Sequence, residues 1–227
     1  MKKTALLTIC ALLLGLAAGL LFNLERLGGR GLLLPGTGAA SAGGISCSEP
    51  GETGGCLDPE DNRTLLEAGN AVLESLQRED MEGLAALVDP DRGVTFTPYS
   101  TVDPHSDLTF LPQQLTQAGI NESTYIWGIT QGKGEAIVLT LSEYLRNYVF
   151  DRDYTKAPVI GVDYVISSGN SLENVDDAYP DARFVEYYFP GQDPEAAGLD
   201  WSALKLVFLE REETYWLIGI IHSEWTI

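Results

Sequence analysis

Polar and apolar positions follow three different periods along this chain. Thr4–Leu24 (TALLTICALLLGLAAGLLFNL) carries no charge, and Lys2 and Lys3 stand immediately before it. From Asp58 the period becomes helical. Asp58-Pro59-Glu60-Asp61 offers a cap residue, a proline for the first helical position and acids for the first turn. Leu65, Leu66, Gly69, Val72, Leu73 and Leu76 then share one helical face. Asp80 is placed to cap a second, shorter helix with Leu84, Leu87 and Val88, which Asp89-Pro90 stops.

Beyond Arg92 the chain turns β-branched and aromatic. GVTFTPY reads as a strand that Pro98 confines to a sheet edge or a strand end. Leu111–Ala118 is a short helix candidate, and Tyr125–Thr130 and Ala136–Thr140 are strands around a Gly-Lys-Gly turn. Thr140 and Glu143 form a capping box for a helix with Leu141, Leu145, Tyr148 and Val149 on one face. Strands Val159–Ile166 and Arg183–Phe189 are set apart by long polar loops, and Trp201–Ile227 reads as a closing β-hairpin. Helices first and strands afterwards predict an α+β fold with a mostly antiparallel sheet. Both faces of Tyr215–Ile221 are apolar, so the hairpin belongs at the sheet centre. One face should meet the early helices, while the other is covered by more of the chain or by a second molecule.

The uncharged run is close to the ~20 residues that span a bilayer and longer than the ~7–15 of a signal-peptide core. Residues 1–25 are therefore expected to be a single apolar helix acting as a signal-anchor, with a cleaved signal peptide as the alternative. Lysines before the run keep the N-terminus inside, so the remainder is expected outside the cytoplasm, held at the membrane or, if cleaved, secreted. Residues 26–57, rich in Gly and Ser, read as a flexible tether, and residues 58–227 as the folded domain. Cys47 and Cys56 flank a Gly-rich segment and are candidates for a small disulfide loop in an oxidising compartment. Cys47 is also weighed as a lipid attachment site, against which the distance from the apolar run argues.

Charge narrows the partners. Against 33 acidic residues stand 14 Lys and Arg, which argues against nucleic acid, whose phosphates need clustered cations. No zinc spacing, P-loop, GxGxxG, GxSxG or HExxH occurs, and no metal or cofactor is expected. Asp89-Pro90-Asp91-Arg92-Gly93 and Asp151-Arg152-Asp153 hint at calcium, but neither fits the EF-hand loop, and solvated acids are the reading preferred.

The opening helices with LESLQREDMEGLAALVDP, and the ending LKLVFLEREETYWLIGIIHSEWTI, resemble the nuclear transport factor two-like superfamily, also called cystatin-like or ketosteroid isomerase-like. More narrowly, GVTFTPYSTVD, Trp127-Gly128, FVEYYFPG and GIIHSEWTI look like a group of uncharacterised bacterial proteins that are membrane-tethered or secreted. The resemblance implies helices packed on a curved, cone-like sheet. It brings no activity, because the superfamily holds isomerases, dehydratases and cyclases beside non-catalytic binding and assembly modules.

No family catalytic motif aligns onto the chain, so candidates come from alternation. His222 and Glu224 share a face of the last strand, together with Trp216, Ile218 and Ile220, and a His beside a carboxylate suits a general base. Glu186, flanked by aromatics, is a second candidate if it enters the cone. Trp127, Tyr144, Tyr164 and Tyr188 are candidate pocket walls. The competing account makes His222 a structural residue, Glu186 a solvated or paired one, and the aromatics core. Three functions follow: a tethered domain binding a partner protein or small ligand, a small-molecule isomerase, dehydratase or hydrolase, and a homodimerisation module.

Overall fold

The computed structural model describes residues 59–226. The apolar N-terminal run, the tether and Cys47 and Cys56 lie outside the described residues. No helix among the described residues is long and apolar enough to cross a membrane.

Helix α1 (Pro59–Gln77) opens on proline with Glu60 and Asp61 in its first turn. It buries Leu65, Val72, Leu73 and Leu76, the stripe its period dictates. Gly69 belongs to that stripe for a steric reason, because a side chain there would collide with the Tyr187 hydroxyl. Helix α2 (Met81–Leu87) starts where the Asp80 carboxylate accepts from the Gly83 amide at 2.8 Å.

Strand β1 (Val94–Thr97) stops at Pro98 and pairs antiparallel with β2 (Leu108–Phe110). Helix α3 (Pro112–Ile120) follows, then a separate two-stranded hairpin of β3 (Thr124–Ile129) and β4 (Ala136–Thr140). The Thr140–Glu143 capping box opens α4 (Leu141–Tyr144). This helix widens into a π-helical turn, Leu145–Val149, closed by the Phe150 amide on the Leu145 carbonyl at 2.6 Å.

The main sheet is completed by β5 (Val159–Val162), β6 (Arg183–Phe189), β7 (Ser202–Arg211) and β8 (Thr214–Glu224), with a short helix α5 (Val175–Ala178) between β5 and β6. The strand order is β2-β1-β8-β7-β6-β5, antiparallel except where β1 runs parallel to β8. The fold is therefore α+β with a curved, mostly antiparallel sheet, and the β7–β8 hairpin fills its two central positions. Strand β5 is shorter than the sequence pattern suggests. Asp163 turns the chain at φ 48°, and its carboxylate accepts from the Phe184 amide at 2.9 Å.

Strict alternation fails within β8. A bulge shifts the register between Val207–Gly219 and Phe208–Leu217, leaving Ile218 as the additional residue. Leu217 and Tyr215 therefore join Ile220 in the core beneath the helices, while Ile218 packs with Ile221 and Val207 on the opposite side. Trp216 and Ile218 do not share the face of His222, contrary to the expectation from period alone. The opposite side is covered by the chain itself: Val165, Val175, Ala178 and Tyr179 pack over Phe184, Val207 and Ile221. Of the two occupants that the apolar pattern left open, the chain's own 163–182 segment fills this role.

Candidate functional site

The inner face of the sheet, toward the helices, carries His222 opposite Leu204 of β7. Its Nδ1 faces the Pro98 carbonyl at 3.3 Å, and because a carbonyl only accepts, that contact is a hydrogen bond in the tautomer with the ring proton on Nδ1. Nε2 then points at Asp151 Oδ1, 3.6 Å away, and makes no hydrogen bond. That separation is too long for a hydrogen bond, and a second proton on the ring turns the contact into an ion pair. Asp151 comes from the segment after the π-helical turn. Its carboxylate accepts from the Tyr154 hydroxyl at 2.8 Å, and that hydroxyl lies 3.2 Å from Ser202 Oγ. Burial pushes Asp151 up, yet His222, Tyr154 and Arg152 together hold it below the usual aspartate range.

Glu224 follows two residues on along β8 and is partly exposed, but it makes no ion pair with His222. Neighbours on one strand face stand side by side about 6–7 Å apart, whereas Asp151 reaches across the face from another segment. The His–carboxylate pair foreseen from sequence therefore exists with a different acid.

Behind His222 the interior is filled with aromatics. Tyr148 stands edge-on to the imidazole at 6.0 Å, stacks on Tyr144 at 5.2 Å, and Tyr144 stacks on Trp127 at 3.8 Å between centroids. Phe96 meets both Trp127 and Tyr144 edge-on. The indole N–H of Trp127 donates to the Leu139 carbonyl at 2.9 Å, tying the β3–β4 hairpin to this stack. Trp127 and Tyr144 are fully buried and are core rather than pocket wall. Burial pushes the phenols of Tyr144, Tyr148, Tyr154 and Tyr187 up, away from the range a proton-transfer group needs near neutrality.

The other sequence candidates lie elsewhere. Tyr164 is 67% exposed, because Asp163 has already turned the chain out of β5. Tyr188 sits on the outer face beside Trp201, at 5.9 Å. Glu186 also faces outward, opposite Lys205 in the β6–β7 register, while Tyr187 and His222 face inward. It does not enter the interior beneath the helices, because alternation along β6 turns it to the opposite face from Tyr187.

Glu186 is nevertheless buried. Its carboxylate accepts from the amides of Ile166 at 3.0 Å and Ser167 at 3.4 Å, and it lies 3.7 Å from Lys205 Nζ. Burial raises it above the ordinary glutamate range, opposed by Lys205 and those two amides. Lys205 Nζ is 2.7 Å from Glu173 and donates to Ser223 Oγ at 3.2 Å, and the Ser100 hydroxyl donates to Ser223 Oγ at 2.9 Å. Sequence reasoning passed over Lys205. Its signal was a lysine inside the apolar run Leu204-Lys205-Leu206, where only a paired cation is tolerable.

The acidic stretches are structural. Asp89 is fully buried, not solvated: one oxygen accepts from the amides of Asp91 and Arg92, and the other lies 3.3 Å from Arg211. Among the described residues no group of three or more His, Cys, Asp or Glu is arranged to hold a metal ion.

No family model and no curated protein matches the sequence. Solved structures do. They include a protein of the NTF2-like family from Streptomyces avermitilis whose proposed activity is that of a dehydratase, 13% identical over 74% of this chain and 98% of its own, TM-score 0.35. A domain of unknown function with a cystatin-like fold from Nostoc punctiforme is 12% identical over 74% of this chain and 79% of its own, TM-score 0.35. An NTF2-like protein of unknown function from Shewanella oneidensis is 7% identical over 72% of this chain and 98% of its own, TM-score 0.32. The class stated here, helices on one face of a curved, mostly antiparallel sheet, rests on the strand order and pairing above.

Proposed function

We propose that the chain is a membrane-tethered, extracytoplasmic domain that works by binding a partner protein or small ligand rather than by catalysis. The observation that carries this reading is the aromatic stack of Tyr148, Tyr144 and Trp127, which occupies the interior where a cone-shaped enzyme holds its substrate. The tethered location is supported by the uncharged run Thr4–Leu24 behind Lys2 and Lys3. Protease added to intact cells is expected to remove the folded domain, and resistance in intact but not lysed cells overturns the location.

A second reading has its own observation. His222 Nε2 is buried, without a hydrogen bond and aimed at Asp151, the arrangement of an oriented general base. Untargeted mass spectrometry separates the two. The full chain and His222→Gln are incubated with cell extract. The binding reading expects molecules retained unchanged by both proteins. Conversion of a metabolite by the wild type that disappears in His222→Gln overturns it in favour of the enzyme.

A further inference from the structure

Away from the aromatic interior, a cavity of about 260 Å³ opens between the end of α1, the start of α2, the end of α3 and the π-helical turn. Its apolar wall comes from Leu76, Met81, Leu145 and Phe150. Gln77 and Ser142 add polar groups to it, and Glu79 and Arg146 add two opposite charges. A side chain at Gly119 would run into Met81, so this glycine lets α3 come close enough to close one side.

With the Thr140 amide and hydroxyl, Arg146 acts on the nearby Glu143 carboxyl, which it helps hold below the usual glutamate range. Arg63, Arg78, Lys156, Arg183, Lys205 and Arg211 each hold a carboxylate in an ion pair, whereas among the described residues Arg92, Lys133 and Arg152 hold none, and the two exposed charges of this cavity, Arg146 and Glu79, make no ion pair, with each other included. Their placement is also specific. Arg146 is the second residue of the π-helical turn, a feature that costs helical hydrogen bonding and recurs at functional sites. Glu79 is held at φ 53°, its amide on the Leu76 carbonyl at 3.1 Å, in the left-handed conformation that ends α1. Glycine is the usual residue there, and a glutamate in its place is strained.

We propose that this pocket binds a free apolar α-amino acid. Its carboxylate meets Arg146, its ammonium meets Glu79, and its side chain lies against Leu76, Met81, Leu145 and Phe150. The volume, below the ~300–1,000 Å³ usual for drug-sized ligands, suits a molecule of that size. The assignment deepens the binding reading and rests on it.

The test is titration calorimetry of the full chain in detergent with leucine, isoleucine, methionine and phenylalanine, beside 4-methylpentanoate, which lacks the ammonium. At least one amino acid is expected to bind saturably, and Arg146→Gln and Glu79→Gln are each expected to weaken it about tenfold or more, the loss of one charged hydrogen bond. Glu79→Gly gives the sharpest contrast: relief of strain raises the melting temperature by a few degrees while binding falls. No binding by any of the four, or equal binding by wild type and folded variants, overturns the site. So does 4-methylpentanoate binding as tightly as leucine. Retention of some other molecule in the extract experiment leaves the binding reading standing while this pocket assignment falls.

Discussion

The two faces of strands β6 to β8 bury their side chains by opposite means. Inside, Tyr187, Leu204 and His222 face an apolar and aromatic core, with His222 edge-on to its stacked rings, and this packing asks little of electrostatics. Outside, one residue away on each strand, Glu186 and Lys205 lie under the 163–182 segment, where burial is tolerable only because charges and amides match. An aromatic interior is shape-limited, and truncation leaves a hole. A buried ionic cluster is charge-limited, and removal of one member leaves an unpaired charge in low dielectric.

Lys205→Met isolates Glu173 and Glu186 together and should have the largest effect, about 4–5 kcal/mol in chemical denaturation. A loss under about 1 kcal/mol means the outer cluster does not hold its cover. Trp127→Ala comes next, at about 3–4 kcal/mol, and the vacated space should admit a small apolar probe such as benzene. Gly219→Ala places a methyl 2.9 Å from the Tyr179 hydroxyl and 3.2 Å from Val207 Cβ. It should cost about 1–2 kcal/mol, and pairing it with Tyr179→Ala should restore part of that loss.

The smallest effects are slopes with pH, and they run in opposite directions on the two faces. Glu186 is raised, so the folded state holds its proton more tightly than the unfolded chain does. Its contribution is fully present below the ordinary glutamate value and is lost as pH rises toward the raised one. Asp151 is depressed, so its contribution is present above the ordinary aspartate value and is lost as pH falls through the lowered one. Melting curves across acid pH should lose the first slope in Glu186→Gln and the second in Asp151→Asn. Two variants with the same slope would erase the contrast.

Much of the fold was readable because its signals are local. The α1 stripe, the Asp80 cap, the Thr140–Glu143 box and the end of β1 at Pro98 each depend on residues within a few positions of one another. The central hairpin was readable from its two apolar faces. What escaped was long-range or irregular. Asp151 meets His222 from a distant segment, and no period connects them. The bulge at Ile218 inserts a residue that reverses the face of Trp216 and Tyr215, which counting by twos cannot reveal. Glu186 was picked out as unusual, but its face depended on a register that only pairing with Lys205 fixes.

The parallel contact between β1 and β8 sets a timetable. Strand β8 comes last among the described strands, yet it is the neighbour that both β1 and β7 require. A chain delivered from its N-terminal end must keep β1, with Phe96, without its central partner until Thr214–Glu224 emerges. Only then can the two halves of the sheet join. Closure of the sheet thus waits for that strand, and removing it should leave both halves without a common edge.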